Sequence, residues 1–259
     1  MSTTEKGICI TNCAPLRASS SDKAEMTTHI LFGELVEIYE EEKLWLFIRN
    51  DYDNYEGYID KHQILKISEE EYYTIREQKD VLVDEPYYMS YSEQNPKPII
   101  LSRGCKLPNY KDNRFSFNGI TYSYEGKISE HKTYKDIIEI ALQYQGAPYL
   151  WGGKSLFGID CSGLTQVCFQ HINIFLRRNA SQQAEQGKVI NLIDEAAPGD
   201  LLFFDNSEGN IVHVGIYLGE EKIIHASGQV RIDKVDHFGI YNIDVKKYTH
   251  QLRLIKRMN

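Results

Sequence analysis

The stretch "PYLWGGKSLFGIDCSGLTQVCF", residues 148–169, decides how this chain is read. From Asp160 onward its apolar side chains recur at helical spacing. Cys161, Leu164, Cys168 and, just beyond, His171 stand at i, i+3, i+7 and i+10 with Val167 alongside, the pattern of a buried helix. Asp160 is placed to cap that helix and Ser162 falls in its first turn. If Cys161 opens the helix, unpaired N–H groups and the positive end of the helix dipole lie beside its sulfur. They would stabilise a thiolate, and any oxyanion formed when it attacks. A lone cysteine on an apolar helix is ordinarily a small core residue, and Cys168, among Leu164, Val167 and Phe169, is read that way.

Outward from this stretch, "TYKDIIEIALQYQG" (133–146) predicts a second helix. Thr133 is its N-cap and Gly146 its stop, with Ile137, Ile138, Ala141, Leu142 and Tyr144 near helical spacing. Downstream, "GDLLFFD", "IVHVGIYLG", "EKIIHASG" and "QLRLIKRM" read as four strands forming an antiparallel sheet behind the helices. Residues 133–259 are therefore expected to form an α+β unit.

A nucleophilic thiol needs a base, and His213 is the candidate. In its strand Val212, Val214, Ile216 and Leu218 make one apolar face, so His213 projects from the other, away from the sheet's apolar side, with Gly215 and Tyr217. Gly215 is expected to leave room there for a helix end and a substrate. The ordinary alternative is a surface histidine on an edge strand. A turn centred on "GEEK" (219–222) sets His225 opposite Gly215, diagonal to His213 on one face, where it can accept the base's second N–H and hold its tautomer. Zinc would also suit Cys161, His213 and His225, but no short-spaced ligand pair exists, and nothing suggests a metal or organic cofactor.

The N-terminal half has a different texture. Up to residue 68, "GICITNC", "HILFGELVEIYEE", "KLWLFIRN" and "YEGYIDKHQIL" read as short strands of a small all-β barrel, separated by polar turns. "PLRASSSDKAEMTTHILFGELVEI", "WLFIR" and "YEGYID" resemble a bacterial SH3-like domain, with Leu16 and Arg17 on its first strand. "SEEEYYTIREQKD" (68–80) is a short helix or linker. Residues 80–128 repeat the strand-and-turn texture around an Asn118-Gly119 hairpin turn and are read as a second, degenerate SH3-like domain.

Composition limits the functions available. The chain of 259 residues carries 29 basic and 37 acidic side chains, a net charge of −8, which disfavours nucleic acid or an anionic membrane as partner and fits cationic or zwitterionic ligands. Five cysteines without regular spacing read as reduced thiols rather than a disulfide scaffold. No stretch approaches the roughly 18 apolar residues of a spanning helix, and the start lacks an export signal. A cytoplasmic location is therefore expected, unless a leader has been removed. Oligomeric state is not readable.

Five motifs in order, "PYLWGGKSLFGIDCSGLTQVCF", "RRNASQQAEQG", "APGDLLFF", "VHVGIYLG" and "IIHASG", resemble the NlpC-type family of cell-wall cysteine peptidases, a compact papain-like fold. The resemblance implies Cys161 as nucleophile, His213 as base, His225 as orienting residue and Tyr149 near the oxyanion. The loop "LRRNAS" departs from it, since relatives commonly have proline before the arginine and aspartate after it. With the N-terminal barrels the chain is similar to the γ-D-glutamyl-L-diamino acid endopeptidases, or dipeptidyl-peptidases VI. These cut murein peptides with a free N-terminal L-alanine after D-glutamate, and released peptides in wall recycling are the implied substrate. The resemblance assigns the substrate ammonium to Asp160 and Ser162, with Glu56 from the first barrel. Tyr91, then Tyr88, is expected to close the pocket, and Ser181 is a weaker candidate. Competing readings are a non-enzymatic peptide-binding module, or a papain-like amidase or acyltransferase using the same Cys-His-His set.

Overall fold

The computed structural model describes residues 4–92, 94, 97–129 and 132–258; the ends of the expected domains at 1–3 and 259 lie outside these. The chain divides at residue 130 into two compact units.

In the N-terminal unit, seven strands surround one core: β1 (Glu5–Cys9), β2 (Cys13–Arg17), β3 (Met26–Leu31), β4 (Leu35–Glu42), β5 (Trp45–Asn50), β6 (Glu56–Asp60) and β7 (Ile64–Ile67), with burial alternating along β2, β5 and β6. They form one antiparallel sheet in the order β3-β2-β6-β5-β4-β1-β7. It encloses Leu16, Ile30, Val36, Leu46, Ile48 and Ile59, each worth about 1.5–3 kcal/mol when fully buried. Leu16 and Arg17 lie on the second strand, not the first, because β1 precedes them and pairs with β4 and β7. The charged stretch is a helix, α1 (Glu69–Arg76), capped by Ser68 and burying Tyr72 and Ile75.

Beyond α1 the sheet content is sparse. The strands β8 (Tyr87–Ser90) and β9 (Ile99–Ser102) make one two-stranded ladder, β10 (Arg114–Phe117) and β11 (Ile120–Ser123) another, joined elsewhere by isolated bridges. Asn118 and Gly119 both take positive φ (48° and 71°) between paired Phe117 and Ile120, as a two-residue hairpin turn requires.

The C-terminal unit begins with a capped turn at Thr133 that continues into α2 (Ile137–Leu142). A short ladder follows, β12 (Lys154–Ser155) with β13 (Gly158–Ile159), and leads into α3 (Cys161–Gln170), all of whose residues are buried. After the four-residue α4 (Ala180–Gln183) come β14 (Lys188–Ile190), β15 (Leu201–Asp205), β16 (Ile211–Gly219), β17 (Lys222–Ser227), β18 (Gln229–Asp236), β19 (Gly239–Asn242) and β20 (Lys247–Arg257). These seven strands form an antiparallel sheet in the order β14-β20-β15-β16-β17-β18-β19, with β19 also pairing β20. The four expected strands are β15, β16, β17 and β20; β14, β18 and β19 add to them.

The ordinary alternative for His213 falls away, since its strand, β16, lies inside the sheet between β15 and β17 and not at an edge. Two expectations about it change. Its face is not free of apolar residues: Leu202, Phe204, Tyr217, Ile223, Val235 and Ile240 form a core on that side, while Val214 and Ile216 are buried on the other. The space beside Gly215 is filled rather than open, since a Cβ there would meet Ile223 Cδ1 at 2.7 Å and the Cβ of His225 at 2.9 Å.

The expected pairing of Gly215 with His225 is present, but the turn alone does not produce it. Gly219 pairs with Lys222 across Glu220 and Glu221, both at positive φ, and Tyr217 pairs with Ile223. Leu218 is therefore an extra residue, a bulge that shifts the register by one. Were Leu218 paired in the ladder with Ile223 instead, His225 would stand opposite Ile216 and point to the helix side of the sheet.

Candidate active site

Cys161 is the first residue of α3, and the residues around it fix that helix end. Asp160, in extended conformation (φ −98°, ψ 176°), is the N-cap, its Oδ1 accepting from Gly163 N at 2.7 Å. Oδ2 accepts from Gly152 N at 2.8 Å, so one carboxylate ties the "WGG" loop to the helix. That loop and the first helical turn meet at backbone distance: a Cβ on Gly163 would stand 2.2 Å from the carbonyl oxygen of Gly153. Only glycine fits.

Arg178 completes the cluster. Its guanidinium, with the side chain 1% exposed, donates to Asp160 Oδ1 (3.0 Å), Asp160 Oδ2 (2.6 Å) and Ser162 Oγ (2.8 Å). Ser162 Oγ also donates to Asp160 Oδ1 (3.3 Å). The neighbouring Gln183 is fully buried, donates to the Ser162 carbonyl (3.0 Å) and accepts from Thr165 Oγ1 (2.7 Å). Asp160 thus meets five donors, which exhausts its lone pairs, whereas Ser162 Oγ keeps one. An ammonium arriving here would find its acceptor in Ser162, with Asp160 behind it.

The Cys161 thiol is buried, and burial together with the charge of Asp160 pushes it up to about 12. The N–H of Val214, the guanidinium of Arg178 and the N–H of Ser162 act the other way. The helix end therefore supplies donors at the sulfur, as expected, while burial and Asp160 keep the resting group a thiol that a base must activate. Val214 follows His213 on β16, so the sulfur lies against the strand that carries the candidate base.

His213 and His225 are brought together. His213 Nε2 lies 2.8 Å from His225 Nδ1, and His225 Nε2 lies 3.1 Å from Asp233 Oδ2 on β18. Asp233 is salt-bridged to Arg231, whose Nε stands 2.7 Å from Oδ2. Burial opposes the charge on Asp233, but hydrogen bonds from His225 and Arg231 outweigh it and hold the carboxyl below its ordinary range. An ionised Asp233 accepts, so His225 donates through Nε2 and accepts at Nδ1. His213 then donates through Nε2, which leaves its Nδ1 without a proton. Burial, and the repulsion a charge on His213 would meet from His225 and His250, hold it well below 6.5. His250, from β20, stacks on its ring with centroids 4.2 Å apart.

Tyr149 is half-buried, and burial with the charges of Cys161 and Asp160 raises its hydroxyl to about 12, placing the phenol near both. Ser181 is exposed in the first turn of α4, and the cap there is Asn179, in a capping box with Gln182. Glu56, Tyr88 and Tyr91 belong to the N-terminal unit. Glu56 is exposed on β6 opposite Arg49, Tyr91 is exposed, and Tyr88 packs on Tyr124 while its hydroxyl accepts from Glu125 N at 3.2 Å.

Sequence reasoning missed Arg178, Gln183, Asp233 and His250. For Arg178 a signal existed in its place within the departing "LRRNAS" loop, beside a conspicuous acid at the helix start. Asp233 was hidden because "QVRIDKVD" reads as ordinary charged surface until β18 is recognised, and only then does Asp233 fall diagonal to His225.

Residues 146–251 match the model of the NlpC/P60 family, and residues 16–64 match that of the bacterial dipeptidyl-peptidase SH3 domain. The chain is 35% identical over 217 residues to a gamma-D-glutamyl-L-lysine dipeptidyl-peptidase of Bacillus subtilis, covering 77% of this chain and 71% of the relative. It is 31% identical over 262 residues to dipeptidyl-peptidase 6 of Lysinibacillus sphaericus, covering 88% and 91%. In fold it is similar to the crystal structure of an NlpC/P60 family protein from Bacillus cereus, with a TM-score of 0.83 at 19% identity over 98% of this chain and 99% of that one.

Proposed function

Since the chain belongs to the NlpC/P60 family of cysteine peptidases, hydrolases of cell-wall peptides, we propose that it cleaves the γ-D-glutamyl to L-diamino acid bond of murein peptides with a free N-terminal L-alanine. One observation carries the chemistry. Cys161 stands at the start of α3 with the Val214 N–H at its sulfur, beside a His213–His225–Asp233 chain that leaves a basic nitrogen on His213.

Cys161 Sγ attacks the amide carbon while its proton passes to His213 Nδ1, and the carbonyl π pair becomes an oxyanion. N–H groups at the start of α3 stabilise it, with the Tyr149 hydroxyl close by. The C–N bond then breaks, the departing nitrogen takes the proton from His213, and a thioester remains. Water, deprotonated by the same nitrogen, releases the D-glutamyl carboxylate and restores the thiol. The negative charge of Asp233, relayed through His225, stabilises the positive charge that forms on His213 in each half. The substrate's terminal ammonium donates to Ser162 Oγ. Only peptides already detached offer that amine, so turnover of released fragments is the matching role.

The test is incubation with L-Ala-γ-D-Glu-L-Lys and with its N-acetylated form, products being read by mass spectrometry. Only the free-amine peptide should be cut. Equal cleavage of both removes the ammonium requirement, and cleavage of neither removes the γ-D-glutamyl reading.

The protonation states predict a pH profile. With the thiol pushed up to about 12 and His213 held well below 6.5, the resting pair at neutral pH is uncharged. Iodoacetamide reacts with thiolate, so the labelling rate of Cys161 should climb steadily between about pH 6 and 10. A plateau reached already near pH 5 would mean a resting thiolate–imidazolium pair and contradict this assignment.

A further inference from the structure

Past His250 the C-terminal unit holds a cavity of about 720 Å³ whose walls include Asp205, Phe238, Tyr248 and His250. His250 stacks on His213 and also lines this space, which places the cavity next to the base. Asp205 directly follows Phe204, the residue opposite His213 across the sheet. Its side chain is 9% exposed and its Oδ1 has no hydrogen-bond partner. Arg253, largely exposed, reaches only Oδ2, at 3.6 Å. A buried carboxylate oxygen without a donor is costly to the fold, so a ligand that brings one is strongly favoured there.

The walls select the kind of donor. The rings of His237 and Phe238 lie 4.0 Å apart and those of Phe238 and Tyr248 5.8 Å. Tyr248 gives its hydroxyl proton to Asp236 (2.6 Å), which leaves its ring as the recognition surface. Aromatic faces around a buried carboxylate suit an alkyl stem ending in a cation.

Position relates the cavity to the reaction. His213 hands its proton to the departing nitrogen, so the residue bearing that nitrogen comes beside His213, on whose ring the cavity-lining His250 stacks. We propose that the cavity receives the side chain of the released diamino acid and pairs its terminal ammonium with Asp205. The inference rests on the γ-D-glutamyl reading and adds a determinant for the residue after the cut.

The experiment measures kcat/KM for L-Ala-γ-D-Glu-L-Lys and for the same peptide with norleucine, which lacks the amine, in the wild type and in Asp205→Asn. The wild type should prefer lysine about tenfold, the effect of one charge-assisted hydrogen bond, and the variant should bring the ratio close to one. A peptide with meso-diaminopimelate, which carries the same distal ammonium, should lose rate in the variant as the lysine peptide does. A purely structural Asp205 would lower all rates and keep the ratio, which overturns the proposal. Equal wild-type rates on lysine and norleucine overturn the subsite while the peptidase reading stands. No cleavage of any of these peptides by the wild type overturns both.

Discussion

Cys161→Ala is expected to lower turnover by about 10⁵-fold or more while leaving the fold intact, because every bond made and broken in the proposed reaction passes through the sulfur. Alanine keeps the helix start that Asp160 caps and the loop contact at Gly163, so unfolding should change by no more than about 1 kcal/mol. Two measurements check this together: release of the diamino acid followed by mass spectrometry, and the mass of the intact protein mixed rapidly with substrate. The wild type should show a transient thioester adduct and the variant none. A variant retaining even a hundredth of normal turnover would mean that another group, or water directly, attacks the amide.

Arg178→Met is expected to destabilise the C-terminal unit by about 3–5 kcal/mol, the cost of leaving a buried carboxylate without its cation. Arg178 holds both oxygens of Asp160 and the hydroxyl of Ser162, and no water-exposed route lets that acid recover its charge balance, since Asp160 is itself 5% exposed. Arg178→Lys should recover only part of the loss, because a single ammonium cannot bond both oxygens and the hydroxyl at once. Amide exchange along α3, compared between wild type and the two variants, reads this unit separately from the rest of the chain. A loss below about 1 kcal/mol in the methionine variant would show that Asp160 takes a proton or finds another partner at little cost.

The parts of this protein that the sequence made legible are those governed by local rules. The Asp160 cap and helix of Cys161, the Thr133 start, the Asn118-Gly119 turn and the strands "IVHVGIYLG" and "EKIIHASG" all follow from periodicity and capping within a dozen residues. What stayed hidden depends on partners distant in sequence. Arg178 looks like a solvated charge until a buried acid eighteen residues earlier is seen to need it. Asp233 and His250 come to the site on β18 and β20, whose polar residues mask their alternation, and the pairing of these strands is set by the whole sheet. The apolar character of the His213 face was misread for the same reason. Its core neighbours Leu202, Ile223 and Val235 come from three other strands. The desolvation and the adjacent Asp160 charge that act on the thiol against the helix end were likewise not legible in the sequence.

The bulge at Leu218 makes that residue a switch rather than a spacer. Gly219 pairs with Lys222 and Tyr217 with Ile223 on either side of it, so a chain lacking Leu218 closes into a plain ladder with Gly215 still opposite His225. Drawn into the ladder instead, Leu218 would pair with Ile223 and turn His225 to the other face. The contact between the two histidines therefore depends on this residue staying unpaired, not on its being present. A lineage could lose it with the hairpin intact, and no second, compensating change would be required.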